Sequence, residues 1–223
     1  MIRWLARFLA QIVLWFIGIS LLLIIAFKWI PVPITATMVM DDNSLSKDWE
    51  SLDNIDRNLV SAVIAAEDAK FCAHDGFDTE AIEKAIKYNA KGGRIRGGST
   101  ITQQTAKNVF LWQGGGYARK GLEAYFAFAI EKVWGKRRIM EVYLNVAETG
   151  IGTYGAEAGA KRYFSHTAAR LTKNEAARMA VALPLPKKRQ VIAPSGWLAR
   201  HGRTIQARMA VVRRDGLDAC VYD

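Results

Sequence analysis

Gly97-Gly98-Ser99-Thr100-Ile101-Thr102-Gln103-Gln104-Thr105-Ala106-Lys107-Asn108 is a helix start spelled out in residues. Two glycines bring the chain in with little steric restriction. Thr100 and Gln103 have the T-x-x-Q spacing of a capping box, in which each side chain reaches the other residue's backbone N–H. Beyond the cap, Thr100, Gln104 and Lys107 are spaced i, i+4, i+7 and share one face. That face carries a hydroxyl, an amide and a cation beside the positive end of a helix, a place suited to an anion such as a phosphate. The same pattern also fits a capped surface helix with a solvated face, so its meaning depends on the rest of the chain.

Working outward, the periodicity stays helical. On the C-terminal side, Gly114-Gly115-Gly116 makes a loop. Tyr117 to Trp134 then predicts a long helix with Leu122, Tyr125, Phe126, Ala129, Ile130 and Val133 along its buried side. Arg137 to Asn145 follows. Glycines at 150, 152, 155 and 159 mark a tight loop into a helix near Ala156 to Phe164. Leu171 to Leu183 is an apolar helix closed by Pro184 and Pro186, and Thr204 to Arg214 ends the fold. On the N-terminal side, Ala81 to Asn89 reads as a helix broken by Gly92-Gly93. Asp56 to Phe71 reads as another, with Val60, Val63, Ile64 and Phe71 on one stripe. Alternating strands are scarce and there are no repeats, so the class is mainly α.

The first residues set the compartment. After Arg3 and Arg7 no charge occurs from Phe8 to Phe27, twenty positions, enough to span a bilayer as a helix. The run exceeds a signal-peptide core, and Thr35-Ala36-Thr37 makes a poor cleavage site, so an uncleaved anchor is expected. Trp4 and Trp29 sit near its ends, where interfacial tryptophans are favoured. Two arginines before the anchor against Lys28 after it favour a cytoplasmic N-terminus in a single-pass inner-membrane protein. The roughly 190 residues beyond would then lie in the periplasm. Pro31 and Pro33 end the anchor and open an extended linker. The expected organisation is an anchor over 1–30, a linker over 31–48 and one domain over 49–223.

The formal net charge is +10, with clusters at Lys136-Arg137-Arg138, Lys187-Lys188-Arg189 and Arg213-Arg214. On an anchored domain that charge suits membrane lipids or an anionic lipid headgroup, and the anchor argues against nucleic acid. Cys72 and Cys220 could pair in an oxidising compartment, but nothing in the spacing asks for it, and two free thiols are expected.

Two glutamates carry the chemistry. Glu67 falls on the apolar stripe of its helix, where desolvation raises a carboxyl pKa and makes a base competent near neutrality. A glutamate at the core's edge, satisfied by an arginine, would look the same. Asp68 points elsewhere and suits structural hydrogen bonding; His74 suits the ordering of a turn. Glu123 stands i+4 from Arg119 and i+3 from Lys120, either a surface ion pair or a functional cluster after the triple-glycine loop. Gly150-Ile151-Gly152-Thr153-Tyr154-Gly155 matches G-x-G-x-x-G, but a helix precedes it where a dinucleotide site needs a strand. Motifs for zinc, dithiol redox and serine-hydrolase chemistry are absent from the sequence.

The ordered set resembles the signatures of the peptidoglycan transglycosylases, the family 51 glycosyltransferases. Glu67-Asp68-Ala69-Lys70-Phe71 through His74-Asp75-Gly76-Phe77-Asp78 is similar to the first, and Gly97 to Asn108 to the second. Arg119-Lys120 with Glu123 is similar to the third, and Arg138-Ile139-Met140-Glu141-Val142-Tyr143-Leu144-Asn145 to the fourth. Glu175-Ala176-Ala177 through Leu183-Pro184 is similar to the fifth. No transpeptidase domain follows, so the resemblance is to monofunctional members. It implies a lysozyme-like helical head with a smaller membrane-proximal jaw, and a role in cell-wall biogenesis and cell shape. It further implies polymerisation of lipid II: an acceptor hydroxyl attacks the anomeric carbon of the lipid-linked strand, undecaprenyl diphosphate leaves, and a β-1,4 bond forms with inversion.

By the same resemblance Glu67 is the general base and Glu123 the second essential glutamate. Ser99, Thr100, Gln104, Lys107, Arg119, Lys120 and Lys187 bind the donor's diphosphate and sugars, a place Lys188 or Arg189 could fill instead of Lys187. No residue set is assigned to a metal, though a divalent cation (Mg or Mn) could share the leaving-group charge. The chemistry agrees: a diphosphate needs its charge held rather than a strong acid to protonate it, whereas a glycosidase needs that acid. A lytic muramidase of the same fold and a non-catalytic anchored module that gathers other wall-synthesis proteins are the alternatives.

Overall fold

The computed structural model describes residues 2–92 and 97–222. Helix α1 (Ile2–Trp29) is long and apolar enough to cross a membrane. Its second half leans on the helical body. Trp134 Nε1 donates to the Ile24 carbonyl at 2.7 Å, Arg138 donates to the carbonyls of Phe27 and Ile30, and the Ser20 and Tyr125 hydroxyls meet at 2.7 Å. Arg138 thus supplies donors to carbonyls that the end of a helix leaves without partners.

The segment expected as an extended linker carries structure of its own. Helix α2 (Ala36–Val39) is capped by Thr35, and strand β1 (Ser46–Lys47) pairs in parallel with β3 (Thr153–Tyr154), which in turn pairs antiparallel with β2 (Glu148–Gly150). Val32, Thr35 and Met38 are buried, and the Tyr154 hydroxyl donates to Asp41 at 2.7 Å.

Helix α3 (Arg57–Glu67) starts at Asp56, whose carboxylate accepts from Asn58 N at 2.7 Å, and buries Leu59 through Ala65. It stops at Glu67, four residues short of the expected end. Asp68 leaves helical geometry (φ −158°, ψ 75°) because its carboxylate is drawn to other groups, and a short 3-10 turn over Phe71–Ala73 still delivers Phe71 to the core. Helix α4 (Thr79–Asn89), capped by Asp78, buries none of its residues. Of the expected Gly92-Gly93 break, Gly92 has a φ of +74° and Gly93 lies outside the described residues.

Helix α5 (Ile101–Phe110) forms with the full capping box. It packs on α6 (Tyr117–Val146), with Phe110 stacked on Phe126 at 4.4 Å between ring centroids. The two expected helices over 117–145 are the two halves of α6, divided where Gly135 takes φ 75°, ψ 167°. A salt bridge from Lys136 to Glu131 (2.8 Å) spans that break, and Glu131 also accepts from Thr102 of α5 at 2.8 Å. Helices α7 (Ala156–Phe164), α8 (Lys173–Ala182), α9 (Gly196–Arg214) and α10 (Ala219–Tyr222) complete the chain. Helix α3 packs against α8 and α9 to form the centre of the core.

One expectation is corrected here. Cys72 and Cys220 form a disulfide, with Cα atoms 5.5 Å apart and 148 residues between them in sequence. No local spacing could announce it. The C-terminus folds back because buried Asp218 accepts from Arg57 at 2.8 Å and from Ser61 at 3.2 Å, which sets α10 beside the 71–73 turn.

Candidate active site

Glu67 is the last residue of α3, at the mouth of the core. Its Oε2 accepts a hydrogen bond from Gln104 Nε2 of α5 at 2.9 Å, and the Gln104 carbonyl accepts from the Tyr143 hydroxyl of α6 at 3.3 Å. Burial raises the Glu67 pKa. The Gln104 amide and the charges of Arg189 and Lys107 draw it back, while Asp68 pushes it further up. The edge-of-core alternative had an arginine satisfying Glu67; here a neutral amide does so.

Asp68 is structural, as expected. It accepts from Ile101 N at 3.0 Å and from His74 Nε2 at 3.0 Å. This changes the reading of the α5 N-terminus. Thr100 N donates to Gln103 Oε1, Gln103 N donates to Thr100 Oγ1, and Ile101 N is taken by Asp68, so the protein's own carboxylate answers the positive helix end. Thr100 is 2 % exposed and its hydroxyl donates to the Gly76 carbonyl at 2.7 Å. Of the predicted stripe, Gln104 and Lys107 keep partly accessible side chains and Thr100 does not.

Lys107 stands between the two glutamates. Burial lowers its pKa; Glu123 and then Glu67 favour its charge, while Arg119 and Lys120 oppose it. Glu123 is 2 % exposed, far from the surface ion pair its spacing allowed. One of its oxygens meets Arg119 Nη1 at 2.8 Å and the other meets Lys120 Nζ, which also donates to Ser99 Oγ at 3.0 Å. Ser99 and Glu67 line one cavity together with Asp68, Lys70 and Gly98. Ser99 thus links the cavity that Glu67 lines to Lys120 and the cation group around Glu123.

Lys187 is not brought into this group. Its Nζ lies 3.1 Å from Asp41 and 3.5 Å from Glu148, in a separate pocket with Thr37 and Tyr154. In the run Lys187-Lys188-Arg189, the Arg189 charge favours ionised Glu67; its Nη1 donates to the Val181 carbonyl at 2.6 Å. In the sequence Tyr143 stands out only as part of the fourth signature. Its part in the site depends on a contact with Gln104 across 39 residues, which sequence spacing does not reveal. The G-x-G-x-x-G run is the β2–β3 hairpin following α6. Gly152 (φ +64°) is required there because a Cβ would fall 2.4 Å from the Ser44 carbonyl oxygen.

A sequence profile of the transglycosylase family matches residues 34–212. The chain belongs to the transglycosylase family. It is therefore a glycosyltransferase, and its helices build the family's lysozyme-like fold. It is 52 % identical over 201 residues to the biosynthetic peptidoglycan transglycosylase of Caulobacter vibrioides, covering 89 % of this chain and 88 % of the relative. It is 45 % identical over 213 residues to the protein of that name from Rhodospirillum centenum, covering 92 % of each. It is also 45 % identical over 219 residues to the one from Pseudomonas putida GB-1, covering 94 % of this chain and 93 % of the relative.

Proposed function

We propose that this transglycosylase polymerises peptidoglycan glycan strands from lipid II. The observation that carries the reading is the contrast between a half-buried carboxylate that accepts from a neutral amide and lines a cavity with Ser99, and a buried carboxylate that gathers cations and is linked to Ser99 through Lys120. Glu67 accepts the proton of the acceptor's sugar hydroxyl as the new C–O bond forms on the anomeric carbon. The bond to the diphosphate oxygen breaks on the opposite face, giving inversion and a β-1,4 link. The electron pair leaves with undecaprenyl diphosphate, whose growing charge meets Lys107, Lys120 and Arg119. Ser99 and Gln104 complete the polar lining, Thr100 acts by fixing the helix start, and Arg189 fits the remaining basic position better than Lys187. A divalent cation (Mg or Mn) carried in on the diphosphate would share the leaving-group charge with these side chains.

The character of α1 supports a placement. Arg3 and Arg7 before it favour a cytoplasmic N-terminus and a periplasmic catalytic domain. The disulfide supports that side, because such bonds persist in oxidising compartments. Membrane lipids and other wall-synthesis proteins are the expected neighbours. The test is to incubate detergent-solubilised protein with purified lipid II. Polymer that disappears with Glu67→Gln supports the reading; cleavage of finished sacculi without polymer identifies a lytic enzyme instead.

A further inference from the structure

We propose that Tyr143 is a positioning residue for the base: its phenol O–H fixes which way the Gln104 amide points, and so keeps an N–H rather than a carbonyl against Glu67. The inference rests on the reading of Glu67 as base and adds a residue to it.

The argument is one of donors and acceptors. An ionised carboxylate only accepts, and the group 2.9 Å from Glu67 Oε2 is Gln104. The amide must therefore turn its NH₂ to Glu67, and its carbonyl then faces Tyr143 Oη at 3.3 Å, where only an O–H can serve it. Tyr143 is 1 % exposed, and burial holds its phenol well above the ordinary range, so it stays a donor at every working pH. The relay runs one way, from Tyr143 O–H to the Gln104 carbonyl and from the Gln104 N–H to Glu67. If Gln104 flipped, its carbonyl would face Glu67 and could be satisfied only by the protonated acid, which cannot act as base. Among the described residues, the charged groups that act most on Glu67 are Arg189 of the loop after α8, Asp68 on its own turn and Lys107 of α5. None of them is altered by removing one phenol oxygen.

The test measures lipid II kcat/KM against pH for the full-length, detergent-solubilised chain, since that profile reports the free enzyme's base. Tyr143→Phe should move the acid limb up by about half to one pH unit. That is a roughly three- to tenfold loss on the acid side, closing to near wild type on the alkaline plateau. Gln104→Met, which deletes the amide outright, should move the limb the same way and lower the plateau too. Equal loss for Tyr143→Phe at every pH, or an unmoved limb in both variants, overturns the inference. Glu67→Gln separates the two levels. If it is inactive throughout while the Tyr143→Phe limb stays in place, only the positioning role falls. If Glu67→Gln keeps normal turnover, the base assignment falls and the inference goes with it.

Discussion

Glu67 is half-buried and Glu123 fully buried, and their partners differ in kind. Glu123 has a cation on each oxygen, Arg119 on one and Lys120 on the other. Glu67 accepts, among the described residues, from the neutral amide of Gln104, and burial pushes its pKa up. Both oxygens of Glu123 are taken up by ion pairs. Its use is to aim those cations. A carboxylate desolvated and lightly held gains from taking a proton. The same residue type thus serves as electrostatic scaffold in one place and as base in the other, and the neighbours decide which.

The largest expected effect comes from deleting the base. Glu67→Gln should cost on the order of 10²–10⁴ in turnover with the fold retained, read by lipid II polymerisation beside a thermal melt. The melt carries its own sign. Burial raises the Glu67 pKa in the folded state, so the folded protein binds that proton more tightly than the unfolded chain. Wild type therefore loses stability as pH rises through the unfolded and then the folded pKa. Glu67→Gln should melt higher than wild type at alkaline pH, with the gap closing as the carboxyl protonates. A gap that widens toward acid would break the contrast with Glu123.

Next come the cations that Glu123 aims. Lys107→Ala or Lys120→Ala should lower turnover by about ten- to a hundredfold, since each acts where charge develops on the leaving group. Lys120, whose side chain is 45 % exposed, should leave the melting temperature nearly unchanged. Wild-type turnover in both variants would return α5 to an ordinary capped helix. Glu123→Gln should fall in the same range through loss of aim, and a second substitution at Lys120 should then add less than it does alone. Full additivity would argue that Glu123 acts by itself.

Smaller still is the contrast between two basic residues two positions apart. Arg189→Ala should lower turnover several-fold and shift the acid limb upward, because a charge that favours ionised Glu67 is gone. Lys187→Ala should change turnover less than twofold, its ammonium being engaged with Asp41 and Glu148. The reverse order would restore Lys187 to the donor site.

Much of this was legible beforehand, for reasons that differ by residue. The cap at Thr100 and Gln103, the pairs from Arg119 and Lys120 to Glu123, the break at Gly135 and the anchor are short-range features, governed by helical spacing and apolar length. The helix expected through Phe71 stopped at Glu67 because Asp68 answers to Ile101 N, 33 residues away. The polar stripe lost Thr100 because Gly76, 24 residues back, claims its hydroxyl.

By itself, then, the sequence determined which segments are helices, which one can enter a membrane, and which acidic and basic side chains share a helix face. Those depend on a 3.6-residue period and a continuous apolar length, both local quantities. The tertiary structure decided which glutamate accepts from an amide and which is clamped by cations, that a carboxylate of the protein fills the α5 N-terminus, that Lys187 pairs with Asp41 and Glu148, and that Cys72 meets Cys220. Each depends on burial and on contacts between residues tens of positions apart. Desolvation and pairing are fixed only when the elements pack, so no local pattern can carry them.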